Sequence, residues 1–250
     1  MQDNGAHILI KALEDQGVKT VFGYPGGAVL EIYDCLKESS IKHILVRNEQ
    51  GGAHAASGYA RALGTVGVCM STSGPGATNL VTGIATAYMD SIPLVVITGQ
   101  VPRSMIGTDA FQEIDITGIS APITKHNYLI QHVEDIPRIV AEAFHIASTG
   151  RPGPVLIDIP RDVAQAKCEY VPVTEVDIRS YKPNVYGHSG MMKRAVKILR
   201  DAQKLVICVG GGVVNANVGE EVRQLAEKKN ATVVSTMMGL SGYAEDERFL

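Results

Sequence analysis

The residues best able to do chemistry gather in three short turns, and one of those turns centres on a carboxylate. Glu49 stands where the apolar run Ile44, Leu45, Val46, closed by Arg47 and Asn48, hands over to a small-residue stretch through Gly51, Gly52, Ala53, Ala55, Ala56 and Gly58. The run reads as a buried strand and the stretch, over residues 49–63, as a helix. Glu49 therefore falls at the carboxyl end of a strand, the edge at which open parallel sheets bind ligands. An acid in a first helical turn also has a plain structural use, because it meets the positive end of the helix dipole. The neighbouring turns favour chemistry. Ser71-Thr72-Ser73-Gly74-Pro75-Gly76-Ala77-Thr78-Asn79 follows a second strand and opens a second helix, a layout that holds an anion or a flat polar ring against backbone amides. No Lys-Ser or Lys-Thr pair follows its glycines, so it is not a P-loop. Gly23-Tyr24-Pro25-Gly26-Gly27 ends another strand. Three strand ends thus offer a pocket rim: Pro25 to Gly27, Glu49, and Ser73 to Asn79.

The elements that must hold these turns alternate along the chain. Helical spacing over residues 5–16 is followed by a strand at 20–22, a helix at 29–37 and a strand at 42–47. After the helix at 49–63 come a strand at 66–71, a helix at 77–89 and a fully apolar strand at 94–98. Residues 99–120 show no clean period, and long irregular segments inside compact domains are usually functional. A strand at 123–130, a helix at 135–147 and a buried strand at 154–159 complete the pattern. Strictly alternating strands and helices predict an α/β fold, a doubly wound parallel sheet. The first domain is expected over residues 1–164, a linker over 165–187, and the first part of a Rossmann-like second domain over 188–250. That second domain reads as incomplete. A single βαβ unit cannot cover both faces of its own sheet, and residues 243–250 do not close it.

In the second domain the turn Gly210-Gly211-Gly212 follows a strand and invites a dinucleotide reading. The fingerprint fails, because Asn215 stands at its third glycine and the next strand ends at Thr236-Met237-Met238 without a ribose-binding carboxylate. Nicotinamide dinucleotide is disfavoured; a plain tight turn and a nucleotide contact both remain open. Small residues share one face in two helices, Gly52 with Ala56 and Gly83 with Ala87, which suits tight core packing and equally a homodimer with its site at the interface.

Composition narrows the classes. With 250 residues, 45% hydrophobic and 20% charged, the chain can bury a sizeable core, and its net charge of -3 without like-charge runs recommends neither nucleic acid nor an anionic membrane as partner. Cys35, Cys69, Cys168 and Cys208 lack CxxC spacing, and Cys69 and Cys208 fall in strands expected to be buried, so they read as reduced thiols. The histidines form no metal-ligand pattern, and no protein-ligated transition metal is expected. The first residues lack a signal pattern and no apolar run is long enough to span a membrane. The cytoplasm is the expected location.

Taken together, Val21-Phe22-Gly23-Tyr24-Pro25-Gly26-Gly27, Arg47-Asn48-Glu49-Gln50-Gly51-Gly52-Ala53-His54-Ala55-Ala56, Thr72 to Asn79, Thr98-Gly99-Gln100-Val101-Pro102, Gly107-Thr108-Asp109-Ala110-Phe111-Gln112-Glu113 and Arg151-Pro152-Gly153-Pro154-Val155 resemble the large, catalytic subunit of acetolactate synthase, also called acetohydroxyacid synthase. Several blocks are shared by all thiamine diphosphate enzymes of this group, whereas Gly107 to Glu113 is similar to the biosynthetic, FAD-containing branch. The resemblance implies condensation of two pyruvates, or of pyruvate with 2-oxobutanoate, with loss of CO2, in branched-chain amino acid biosynthesis. It implies thiamine diphosphate, Mg²⁺ and FAD as cofactors, a homodimer or higher oligomer, and a small regulatory subunit as a further partner. By position it makes Glu49 and Gln112 catalytic and sets Pro25, Gly26, Glu49, Pro75 and Asn79 against thiamine diphosphate. Arg151, Gly210, Gly211, Gly212, Thr236, Met237 and Met238 would touch FAD. Gly26, Gly27, Pro102, Ala110, Phe111 and Arg161 would line the approach for substrate and for the family's inhibitors. The glutamate's role in the family is to hydrogen-bond the aminopyrimidine ring and promote its proton-accepting tautomer. A glycine-walled apolar pocket, by raising a carboxylate's pKa, would suit it to share that proton.

Two substitutions depart from the pattern: Arg161 stands where lysine is frequent, which keeps the charge and alters the hydrogen-bond geometry, and Ser104 where a second arginine is common. The motif that holds Mg²⁺ and the diphosphate begins Gly-Asp-Gly in the family, and no Gly-Asp-Gly occurs here. The chain is therefore expected to be inactive alone, its Mg²⁺ site lying in a further domain. A module that pairs with or regulates another chain is the competing expectation. A decarboxylase or other carboligase of the same cofactor group is disfavoured by the Gly107 to Glu113 block.

Overall fold

The apolar runs become strands of one parallel sheet. In the computed structural model, which describes residues 2–243, the chain runs through β1 (Gln2–Asn4), α1 (Gly5–Asp15), β2 (Thr20–Gly23), α2 (Leu30–Lys37), β3 (Lys42–Leu45), α3 (Glu49–Leu63) and β4 (Gly67–Ser71). It continues through α4 (Pro75–Asn79), α5 (Val81–Asp90), β5 (Leu94–Gln100), α6 (Ile116–Ser120), β6 (His126–Leu129), α7 (Ile136–Ser148), β7 (Pro154–Pro160), α8 (Arg161–Gln165) and β8 (Lys167–Glu169). Two compact units divide between Pro183 and Asn184.

The first unit is built on a six-stranded sheet in the order β3-β2-β4-β5-β7-β6, every pair of it parallel. β4, β5 and β7 are buried along their whole length, so they carry no polar alternation, as strands covered on both faces require. Val68, Met70, Val95, Ile97, Val155 and Ile157 join one core with α1, α2 and α7. Side chains one residue out of phase turn to the other face, where α3 and α5 pack on each other. A Cβ at Gly83 of α5 would stand 2.4 Å from the Cβ of Ala53 in α3. The small residues of these helices are thus explained by a close approach within the chain.

From β2 the chain steps to β3 on one side, then returns to lay β4, β5 and β7 on the other. The order reverses between β2 and β4, and the crevice outside their carboxyl ends is the topological switch point where such sheets bind ligands.

Three elements differ from the sequence reading. The strand read as buried over Ile44, Leu45 and Val46 is β3, at the edge of the sheet with Leu45 exposed. The helix expected over 77–89 is two, α4 and α5, because the amide of Leu80 donates to Ala77 O at 3.1 Å in a tightened i to i−3 turn. The stretch read as linker opens with β8, which pairs antiparallel with β1. Further on, Tyr181 accepts a hydrogen bond from Lys125 Nζ at 2.9 Å, and Lys125 also donates to Thr149 O at 2.7 Å, beyond the end of α7. Residues up to Pro183 accordingly belong to the first unit.

The second unit holds α9 (Ser189–Asp201), β9 (Val206–Val209), α10 (Gly211–Ala216), α11 (Gly219–Lys229) and β10 (Thr232–Ser235). β9 and β10 pair in parallel over a small core of Val209, Ala226, Ala231, Val233 and Tyr243. The expectation that Cys208 is buried fails: it is exposed, since only alternate positions of β9 face that core. Of the stretch 243–250, the part beyond Tyr243 lies outside the described residues.

Candidate active site

Glu49 is the first residue of α3. The preceding Asn48 is extended and caps the helix, its Oδ1 accepting from Gln50 N at 2.8 Å. That cap leaves the Glu49 carboxylate to reach across to the turn after β4. There Asn79, the last residue of α4, donates from Nδ2 to Glu49 Oε2 at 2.9 Å. Oε1 lies over Gly76, 3.4 Å from the point a Cβ would occupy. Any larger residue at 76 would crowd both the carboxylate and Thr72, whose Cγ2 is 2.8 Å from the same point. The turn after β2 meets this rim through Thr72: its Oγ1 accepts from Ala28 N at 3.2 Å, and Gly26 packs directly on it. Thr72 is the link sequence reading missed; it lay inside a quoted motif, but only the fold shows that it joins the first and third turns.

The segment after β5 reaches the same rim. Gly74 has φ +58, and a Cβ on it would come within 2.7 Å of Gln112 O and 2.8 Å of Gln112 Cα. Gln112 (φ +59) and Asp109 (φ +56) are themselves left-handed, conformations that cost non-glycine residues about 1–3 kcal/mol each and persist only where neighbours enforce them. Glu113 is one enforcer. Its carboxylate accepts from the amides of Gly107, Thr108 and Ala110, and these backbone donors, Gly107 first, hold it below the usual carboxylate range. Phe111, between them, is 87% exposed. Gly74→Ala is expected to destabilise the first unit by roughly 1–3 kcal/mol, through both its φ and its contact with Gln112. Urea denaturation checks this, and an unchanged midpoint would contradict the contact.

The residues expected along the approach divide. Gly26 and Gln112 converge on the turn after β4, while Gly27 opens a short 3-10 turn through Val29. Pro102 leads into a segment pinned by Arg103, which binds Asp162 through its backbone amide at 2.9 Å and through Nε at 2.7 Å. Arg161 is engaged with α2, its Nε and Nη2 each 3.2 Å from Glu31 Oε1. Arg151 stands before β7, at the amino edge of the sheet and so opposite Glu49, donating to Ser91 Oγ at 2.8 Å.

In the second unit Gly211 and Gly212 open α10. Gly210 comes within 3.6 Å of Thr236 Oγ1, and Gly211 within 3.4 Å of Met238 Cβ, measured from their would-be Cβ positions. Gly210 and Gly211 thus meet Thr236 and Met238 at the carboxyl edge of the β9–β10 pair, whereas the would-be Cβ of Gly212 faces open space and Met237 is exposed. Among the described residues no three His, Cys, Asp or Glu side chains gather as a metal-ligating set, and no helix is long and apolar enough to cross a membrane. Burial pushes the Cys69 thiol up to about 12, which leaves it protonated and inert.

Comparison with known proteins places the chain in a family. The family model for the amino-terminal, thiamine pyrophosphate-binding domain of thiamine pyrophosphate enzymes matches residues 3–119, and the model for their central domain matches residues 192–249. The chain is 54% identical over 248 residues to an acetolactate synthase of Mycobacterium bovis, covering 99% of this chain and 40% of the relative. It is 53% identical to a probable acetolactate synthase large subunit of Methanocaldococcus jannaschii, over 97% of this chain and 42% of the relative. To the acetolactate synthase isozyme 3 large subunit of Escherichia coli it is 52% identical, over 98% and 43% respectively. The chain spans about two fifths of the length of these relatives. It belongs to the thiamine pyrophosphate enzyme family and, within it, is similar to the amino-terminal portion of acetolactate synthase large subunits.

Proposed function

We propose that this chain supplies the pyrimidine side of a thiamine diphosphate site, in a protein that condenses two pyruvates, or pyruvate with 2-oxobutanoate, and releases CO2. The observation that carries the reading is the Asn79–Glu49 hydrogen bond at the switch point, set over a turn kept thin by Gly74 and Gly76. A flat ring can approach such a backbone, and a carboxylate fixed through one oxygen can exchange a proton through the other. When bound, the cofactor supplies the electron sink for decarboxylation. Glu49 would hold a proton at Oε1 toward a ring nitrogen, with Asn79 fixing Oε2, while Pro25, Gly26 and Pro75 would border the ring. Gln112, Ala110, Phe111, Gly27 and Pro102 would border the incoming keto acid. Arg161 would join them only after leaving Glu31.

In this reading FAD lies along Gly210 to Gly212 and Thr236 to Met238, and Mg²⁺ and the diphosphate are held by residues outside this chain. The subunits pair so that the site is completed across their interface. The test joins this chain to the carboxyl-terminal remainder of the Escherichia coli relative and assays acetolactate from pyruvate with thiamine diphosphate, Mg²⁺ and FAD. Acetolactate from the chimera, and none from the 250 residues alone, is the expected result. A folded chimera that binds thiamine diphosphate yet makes no acetolactate would overturn the assignment.

A further inference from the structure

Gln100 closes β5 and is 3% exposed, a buried carboxamide at the point where the irregular segment 101–114 leaves the sheet. Its Oε1 accepts from Val101 N at 2.9 Å, at the start of that segment. Its Nε2 donates to Ile114 O at 2.8 Å, at the end, and to Asp158 Oδ2 at 2.9 Å. Asp158 belongs to β7, is 1% exposed, and takes a second hydrogen bond at Oδ1 from Thr98 Oγ1 at 2.7 Å. One orientation of the amide satisfies all of these groups. Turned over, its oxygen would face two acceptors and its NH2 would face a donor, leaving buried polar groups unpaired.

We propose that Gln100 and Asp158 are positioning residues that clasp both ends of the 101–114 segment on one oriented amide and so keep Gln112 on Gly74, beside the Glu49 crevice. Asp158 sets the orientation of the amide, the amide sets the mouth of the loop, and Glu113 sets its interior. The consequence for substrate rests on the proposed reading of Gln112; the clasp itself does not.

Deuterium exchange at pH 6 on the purified chain tests it without any cofactor, so failure of the clasp and failure of the thiamine reading are separable. Peptides covering residues 103–113 report the segment, and peptides covering 67–71 report the sheet. Gln100→Met keeps the length of the side chain and removes its hydrogen bonds. It is expected to accelerate exchange over 103–113 about tenfold, one to two net hydrogen bonds' worth, and to leave 67–71 within about twofold. Asp158→Asn keeps an acceptor for Gln100 and should accelerate exchange in neither peptide. If Gln100→Met fails to fold, Asp158→Ala, which removes the orienting acceptor together with the partner of Thr98, should give the same local acceleration over 103–113. Unchanged exchange over 103–113, or equal acceleration in both peptides, would show that the pair merely fills the core.

Discussion

Glu49→Gln, in a chain completed with the diphosphate-binding remainder, is expected to lower turnover by about 10²–10⁴-fold, the usual contribution of a positioned acid-base group. Glutamine is close in shape, and its amide oxygen can still accept from Asn79 Nδ2, whose bond to Glu49 Oε2 is 2.9 Å. The cap at Asn48 is untouched, and so is the contact of residue 49 with Gly76. What disappears is the capacity to exchange a proton. The fold and the half-saturating pyruvate concentration should therefore change little while kcat falls, the pattern of an interaction needed in the transition state rather than in substrate binding. Acetolactate assays at saturating thiamine diphosphate, with circular dichroism as the control on folding, measure both. Turnover within tenfold of the parent would remove Glu49 from the catalytic role, and lost secondary structure would assign it to the helix start instead.

The contrast between Glu49 and Asp158 shows what the sequence could and could not disclose. Glu49 was legible because three local signals coincided: an apolar run that stops, a small-residue helix that starts, and a glycine-rich turn nearby. β5 and β7 were legible too, as unbroken apolar runs have few alternatives to burial on both faces. Asp158 lies inside one of those runs with no local signal to mark it, because its partners Thr98 and Gln100 sit 60 and 58 residues away in sequence. Only the parallel register, which sets Thr98 opposite Asp158, makes them neighbours. The same holds for Gly74 and Gln112: each motif was visible, but the contact that explains the glycine is tertiary. Arg161 and Cys208 mark the opposite limit. The resemblance sets the first along the substrate approach, and the folded chain holds it on Glu31, a pairing across 130 residues that no local pattern announces. Strand pattern assigned the second to a core, whereas β9 turns it outward. For Cys208 the deciding quantity is which side of β9 its neighbours cover.

The buried Asp158 should also make the first unit's stability depend on pH in a direction opposite to that of a salt-bridged carboxylate. Burial is the dominant cause and raises its pKa from 3.8 to about 7, against the hydrogen bonds from Thr98 and Gln100, which favour the ionised form; the Asp115 carboxylate adds to the rise. A carboxyl that binds its proton more tightly in the folded state than in the unfolded one costs nothing below pH 4, where both states are protonated. Its cost accumulates as pH rises toward 7 and is constant above that, where both are ionised. At 1.36 kcal/mol per unit the full span is on the order of 4 kcal/mol, of which about 2–3 kcal/mol falls between pH 5 and 8. Asp158→Asn presents the pattern of the neutral carboxyl, an acceptor toward Gln100 and a donor toward Thr98, and has no charge to bury. Other groups titrate in both proteins and cancel in the difference. Urea denaturation of parent and variant from pH 5 to 8 should therefore show the variant gaining stability over the parent by that 2–3 kcal/mol, and gaining no more above pH 8. A difference that stays flat across the range would mean that Asp158 ionises in the folded chain as easily as in water, and that the Thr98 and Gln100 hydrogen bonds fully offset its burial.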